Sequence, residues 1–253
     1  MTATAGQELA ELLLAARRSG APIQQLAATL VPTTAEAAYG VQDRVASALG
    51  VIAGWKVGAP NPTSEPNCAP LFATLIAPSP SRWPAGRFRL CGVEGELAFR
   101  MGKSLPPRSR PYDESEVWEA AATLHPAIEI VDSRFADFPG TDKLALLADN
   151  GSHGAFCYGP PLAEWRAIDF LHQPARLDVD GQTVANAVGG NAAGHPGRLL
   201  AWLANHLARR GRGLVAGDFV TTGTHTGLVY ATPGGVATVT FPGIGEASVA
   251  FAR

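Results

Sequence analysis

Two glutamates stand two residues apart in the run Val93-Glu94-Gly95-Glu96-Leu97-Ala98-Phe99. In an extended strand residues i and i+2 share a face. Glu94 and Glu96 then project from one surface, with Val93, Leu97 and Phe99 on the other. Two carboxylates held about 4–5 Å apart repel by roughly 3–4 kcal/mol at an effective dielectric near 20. Either water screens them or a cation sits between them. A third glutamate bears on the choice. Glu129, in Pro126-Ala127-Ile128-Glu129-Ile130-Val131, occupies a segment with the composition of a buried strand. A carboxylate there is costly unless paired, protonated or bound to metal. Glu94, Glu96 and Glu129 make an all-oxygen set that suits Mg²⁺ or Mn²⁺; zinc fits less well, because no His or Cys accompanies them at ligand spacing. The alternative is a solvated acidic face with Glu129 salt-bridged, Arg134 being near in sequence.

Lys56, in Gly54-Trp55-Lys56-Val57-Gly58, lies on a strand face between two glycines that leave room for a ligand. It reads either as the guard of an edge strand or as a fixed positive charge for an anionic substrate. Asp149-Asn150-Gly151-Ser152-His153-Gly154 supplies hydroxyl and imidazole groups but is not a G-x-S-x-G nucleophile elbow. Thr222–Gly227 is a polar loop that either lines a pocket or simply turns the chain. Gly189–Gly197 is glycine-rich yet fits neither the dinucleotide nor the P-loop pattern. His125, His172 and His206 fall in expected helices or helix ends, where structural roles dominate.

The elements that must position these groups are legible in outline. Leu9, Leu12, Leu13 and Ala16 recur at helical spacing up to Ser19-Gly20, and Thr33 with Glu36 predicts a capping box opening a second helix through Leu49. From Val51 short apolar runs alternate with Gly and Pro. Asp180-Gly181 and Pro242–Gly245 predict hairpin turns. Helices are expected over 113–124, with Asp113 as N-cap, and over 195–210. The pattern predicts one α+β domain over residues 1–253, a helical arm at 1–50 and a mainly β core at 51–253.

A chain of 253 residues with 46% hydrophobic and 17% charged residues and a net charge of −2 carries no electrostatic footprint for nucleic acid or a membrane surface. The basic run at 208–213 reads as a solvated helix end. The cysteines, Cys68, Cys91 and Cys157, are odd in number and widely spaced, and are expected to be reduced and buried. Glu8 and Glu11 interrupt the N-terminal stretch where a signal peptide is apolar, so a cytoplasmic protein is expected.

Seven motifs in order, A-E-A-A-Y-G-V-Q, G-W-K-V-G, V-E-G-E-L-A-F with G-K-S-L-P, P-A-I-E-I-V-D-S-R, D-N-G-S, G-H-P before a helix and G-D-F-V-T-T-G, span about residue 34 to the C-terminus. Together they resemble the 2-keto-4-pentenoate hydratase and 4-oxalocrotonate decarboxylase family of the fumarylacetoacetate hydrolase superfamily. The resemblance implies a mixed β-roll core, a homo-oligomer (dimer or larger) and a divalent ion, Mg²⁺ or Mn²⁺, on Glu94, Glu96 and Glu129. It implies Lys56 as active-site lysine, Ser152 at the substrate carboxylate, and Leu71, Phe72, Ser133 and Thr224 around the substrate, while His153, a residue of this chain and not of the family pattern, is a candidate base. Two departures stand out. The family's P-D-F-G-like segment aligns with Pro70-Leu71-Phe72-Ala73, which puts Leu71 at the aspartate, and His153 follows the D-N-x-S serine. The activity implied is hydration of a small 2-hydroxy-2,4-dienoate or 2-oxo-enoate through a metal-stabilised enolate. Decarboxylation of a 4-oxalocrotonate-type 2-oxo acid, C–C hydrolysis of an acylpyruvate and a catalytically degenerate member are the alternatives.

Overall fold

The computed structural model describes residues 1–253. Two helices open the chain, α1 (Ala3–Ser19) and α2 (Ala35–Leu49). Helix α1 is capped by the Thr2 side chain and stops at Gly20 in the left-handed conformation, as the Ser-Gly signal predicts. Helix α2 is capped one residue later than expected, with the Thr34 hydroxyl accepting the Ala37 amide. Thr33 therefore lies outside the helix, and the anticipated box with Glu36 does not form.

Strands β1 (Ile52–Gly58), β2 (Asn67–Phe72) and the short β3 (Ile76–Pro78) and β4 (Ser81–Trp83) lead into the long β5 (Gly92–Met101). Helix α3 (Glu114–Ala120) has a capping box between Asp113 and Glu116, then runs without a loop into β6 (Ala121–Val131). The helix expected through residue 124 thus ends four residues early, because Ala121 and Thr123 pair with Met101 and Arg100 of β5. His125 is accordingly a strand residue, buried between Thr123 and the Gly159 carbonyl, and His172 sits in an exposed turn beside Asp169.

Helix α4 (Lys143–Ala148) precedes β7 (His153–Tyr158). A hairpin of β8 (Pro174–Val179) and β9 (Gln182–Val188) follows, turned by Asp180 and Gly181 at positive φ. Helix α5 (Pro196–Arg209) and strands β10 (Phe219–Thr224), β11 (Val229–Tyr230), β12 (Val236–Phe241) and β13 (Gly245–Phe251) complete the chain. Arg210 and Arg212, just past α5, pair with Asp43 of α2, so that basic run is a helix-to-helix tie.

The strands form two mixed sheets. The larger has the order β2-β1-β10-β5-β6-β7-β3, with β11 on β5, and the smaller β4-β13-β12-β8-β9. One face of the larger sheet carries Trp55, Val57, Val93, Leu97, Phe99, Ile128 and Ile130 into the main core, shared with Val239, Phe241, Ala247 and Val249 of the smaller sheet. This is an α+β fold. The other face carries a patch of Leu71, Ala98, Ala127, Phe156 and Phe219, and beside it, on the same face, the three glutamates and Lys56. The three cysteines are buried and unbridged. No helix is long and apolar enough to cross a membrane.

Candidate active site

Register brings the acidic residues together. Glu94 of β5 lies directly opposite Glu129 of β6, and Glu96 is the next residue of β5 on that face. One carboxylate oxygen from each of Glu94, Glu96 and Glu129 lies within 4.8 Å of the other two. Glu96 and Glu129 are buried, while Glu94 is partly open to a cavity of about 500 Å³. The Thr221 hydroxyl of β10 donates to Glu96 Oε2.

Lys56 reaches this group from β1. Its Nζ donates to Glu129 Oε1 at 2.6 Å and to the Gly151 carbonyl at 3.0 Å. Gly54 makes the approach possible, because a Cβ there would run into the Phe219 carbonyl of β10. The loop after α4 passes over the lysine with Asn150, Gly151 and Ser152 all at positive φ. Such a run suits glycine and asparagine and is costly for serine. The side-chain atoms of Asn150 and the Ser152 hydroxyl are buried without partners.

Charge balance follows from this geometry. Burial raises Glu94, with repulsion from Glu129, to about 7. Burial, with repulsion from Glu129 and Glu94, raises Glu96 to about 8. Burial pushes Glu129 the same way, but Lys56 and His153 outweigh it and hold that carboxyl below its ordinary value. For Lys56, burial works against the charge and the three glutamates overcome it, so its pKa is raised and the ammonium form persists. His153 is lowered by burial. The neutral ring sets Nδ1–H against Glu129 Oε1 at 3.1 Å, and Nε2 is buried without a partner.

The structure therefore brings together Lys56, Glu94, Glu96, Glu129, Ser152 and His153, and Thr224 lines the same cavity. Three other expected residues are elsewhere. Leu71 is wholly buried in the apolar patch below the site, Phe72 points into the main core, and Ser133 lies beside Asp149 facing a different cavity. Arg134, the alternative partner considered for Glu129, instead binds Asp149 through Nε at 2.6 Å. Glu65 accepts the indole N–H of Trp202 on α5.

Sequence reasoning missed Asn67 and Asn191, both in the cavity wall. Asn67 pairs with Gly58 in the β1–β2 register and so shares the face of Lys56. Aligning the P-D-F-G segment on Pro66 instead of Pro70 would have put Asn67 at the aspartate position. Asn191 belongs to the glycine-rich segment that matched no phosphate motif, where its side chain ties Thr222 to Ala193.

The fold and the site define an α+β protein whose sheet presents a carboxylate triad and a half-buried ammonium to a cavity. Residues 50–251 match the family described as fumarylacetoacetate (FAA) hydrolase C-terminal. The chain is 28% identical to the 2-keto-4-pentenoate hydratase of Paraburkholderia xenovorans (strain LB400), with 99% of this chain and 96% of that protein covered. It is 30% identical to 2-keto-4-pentenoate hydratase 2 of Dechloromonas aromatica (strain RCB), with 98% of each covered. It superposes with a TM-score of 0.87 and 26% identity on 4-oxalocrotonate decarboxylase from Pseudomonas putida G7 complexed with magnesium and adipate, covering 99% of this chain and 98% of that one. The chain belongs to the fumarylacetoacetate hydrolase superfamily, within the group of 2-keto-4-pentenoate hydratases and 4-oxalocrotonate decarboxylases.

Proposed function

We infer that this chain is a divalent-metal-dependent hydro-lyase that adds water to a 2-hydroxy-2,4-dienoate or its 2-oxo-enoate tautomer. The observation that carries the reading is the set of Glu94, Glu96 and Glu129 oxygens within 4.8 Å of one another at the base of a cavity sized for a small acid. The set fits Mg²⁺, or Mn²⁺ as the softer option. All donors are hard oxygens, and oxygens on opposite sides of Mg²⁺ stand about 4.2 Å apart, so small side-chain movements complete the cradle. Glu129 Oε2 is buried without a hydrogen-bond partner, as an oxygen reserved for a cation would be. When bound, the ion supplies Lewis-acid stabilisation of negative charge at the substrate's C2 oxygen.

The protein's own groups do the rest. Lys56 stays charged, so it acts as a fixed cation for the substrate carboxylate and for developing enolate charge, not as a base. The Ser152 hydroxyl and the amides of Asn67 and Asn191 offer neutral hydrogen bonds to the acid's oxygens, and Thr224 lies beside them. His153 is buried behind Glu129 and outside the cavity wall, so it positions that carboxylate and is not the group that activates water.

Hydration is favoured over decarboxylation by the hydratase relatives that match along nearly the whole chain. The test is a panel of 2-hydroxydienoates and 2-oxo-enedioates followed by ultraviolet loss of conjugation, with Mg²⁺ or Mn²⁺ and after chelation. Metal-dependent loss with dienoates and no CO₂ is the expected result. CO₂ release from the enedioates alone would transfer the assignment to the decarboxylase, and silence with every substrate would leave a degenerate member.

A further inference from the structure

A second cavity, about 620 Å³, opens where the end of α1, the end of α2 and the turn around Gly86 meet. Five arginines line it, Arg17, Arg18, Arg87, Arg89 and Arg134, with a single carboxylate, Asp132. That carboxylate is already engaged, since its Oδ1 accepts the amides of Arg89 and Leu90 at 3.0 Å. Asp149, beneath the floor, is shared between two guanidinium groups, Arg134 at 2.6 Å and Arg17 at 3.3 Å. Arg17 Nε is buried with no acceptor. Arg18 and Arg87 stand exposed at the rim with no carboxylate partner. Five positive charges against two negative ones leave this wall strongly cationic, although the whole chain has a net charge of −2.

Burial and the neighbouring Arg134 bring Arg17 down to about 9. A buried guanidinium so poorly compensated by its own protein is costly unless an anion shares the site. The choice of arginine throughout, with no lysine, matches the planar fork that grips phosphate and carboxylate oxygens in pairs. Leu14, Leu49, Leu75 and Phe88 add an apolar stretch of wall that would accept an organic body.

We propose that this cavity binds a small organic dianion, a phosphate monoester or a short dicarboxylate, gripped by Arg17 on the floor and Arg18 and Arg87 at the rim. It is a site separate from the one that holds Lys56: the two cavities share no wall residue, and the loop from Asp149 to Gly154 runs between them, with Gly151 and Ser152 facing one and Gly154 the other.

The experiment is calorimetric titration of the metal-loaded full-length protein with inorganic phosphate and, separately, with succinate. The two arms identify which oxyanion is preferred. Arg18→Ala/Arg87→Ala removes only exposed side chains and should weaken binding about tenfold or more, the worth of one hydrogen bond to a charged group. Lys56→Met should leave the affinity unchanged, which separates this site from the catalytic cavity. Arg17→Met, if folded by circular dichroism, should bind more weakly still. Absence of binding by both anions, an unchanged affinity in the rim variant, or loss of binding in Lys56→Met would overturn the proposal. So would a changed sedimentation coefficient in the rim variant without anion binding, which would assign the arginines to contact with a second copy of the chain.

Discussion

Binding of a divalent ion to Glu94, Glu96 and Glu129 should expel protons near neutral pH. With ligand oxygens no more than 4.8 Å apart, each ionised pair repels by at least about 3.5 kcal/mol at an effective dielectric of 20. Three pairs come to about 10 kcal/mol. The Lys56–Glu129 contact at 2.6 Å returns about 6 kcal/mol on the same scale. Full ionisation therefore loses, and protons remain on the two carboxyls that Lys56 does not touch. With Glu94 at about 7 and Glu96 at about 8, the first is half protonated and the second about nine-tenths protonated at pH 7. Titration of Mg²⁺ into chelator-treated protein, by calorimetry in two buffers of different ionisation enthalpy, should report release of about one to two protons at pH 7. The number should fall toward zero by pH 9, and affinity should weaken as pH drops from 8 to 6. The same shifts govern stability. Both folded-state values lie above the ordinary 4.5, so the metal-free fold binds more protons than the unfolded chain between about 4.5 and 8. It should lose stability as pH rises through that window, by up to about 1.4 kcal/mol per proton per pH unit. Proton release of zero from pH 6.5 to 8 would refute the electrostatic reasoning outright.

Three substitutions probe the surroundings. Lys56→Met should lower kcat/KM by about 10²-fold or more, the usual loss when a transition-state charge partner is removed, while Mg²⁺ affinity by calorimetry stays the same or tightens; wild-type turnover would remove the lysine from the mechanism. Gly151→Ala places a side chain at φ +58° and should cost about 1–2 kcal/mol in urea unfolding, with Gly151→Asn costing less because asparagine tolerates that conformation; equal losses would mean that sterics and not backbone preference control the loop. Leu71→Ala empties the apolar patch under the site and should destabilise by about 2–5 kcal/mol with metal affinity unchanged; a selective loss of substrate binding in a stable variant would return Leu71 to the pocket.

The parity of Glu94 and Glu96 was readable because strand periodicity is local, and Glu129 announced itself as a charge in an apolar run. What joins them is register, Glu94 opposite Glu129, and register depends on a partner strand that lies far along the chain. Leu71 was misplaced for the same reason. Pro66-Asn67 and Pro70-Leu71 lie four residues apart and look alike as anchors, and only the pairing of Asn67 with Gly58 decides between them. Residues 121–124 looked helical because alanine and leucine favour helices and no stop signal precedes them, yet pairing with the end of β5 overrides that preference. The Arg17–Asp149–Arg134 cluster left no trace in the sequence, because its members come from a helix and two loops whose docking is tertiary.

The face-to-face position of Glu94 and Glu129 has a consequence for assembly. Like charges set directly across two antiparallel strands oppose their own pairing, so the seam between β5 and β6 zips against local resistance along that stretch. A captured dication would turn this weak stitch into a cross-strand staple. Loss of the ion should then loosen amide-exchange protection first around Glu94 and Glu129, while strands β1 and β10 of the same sheet stay shut.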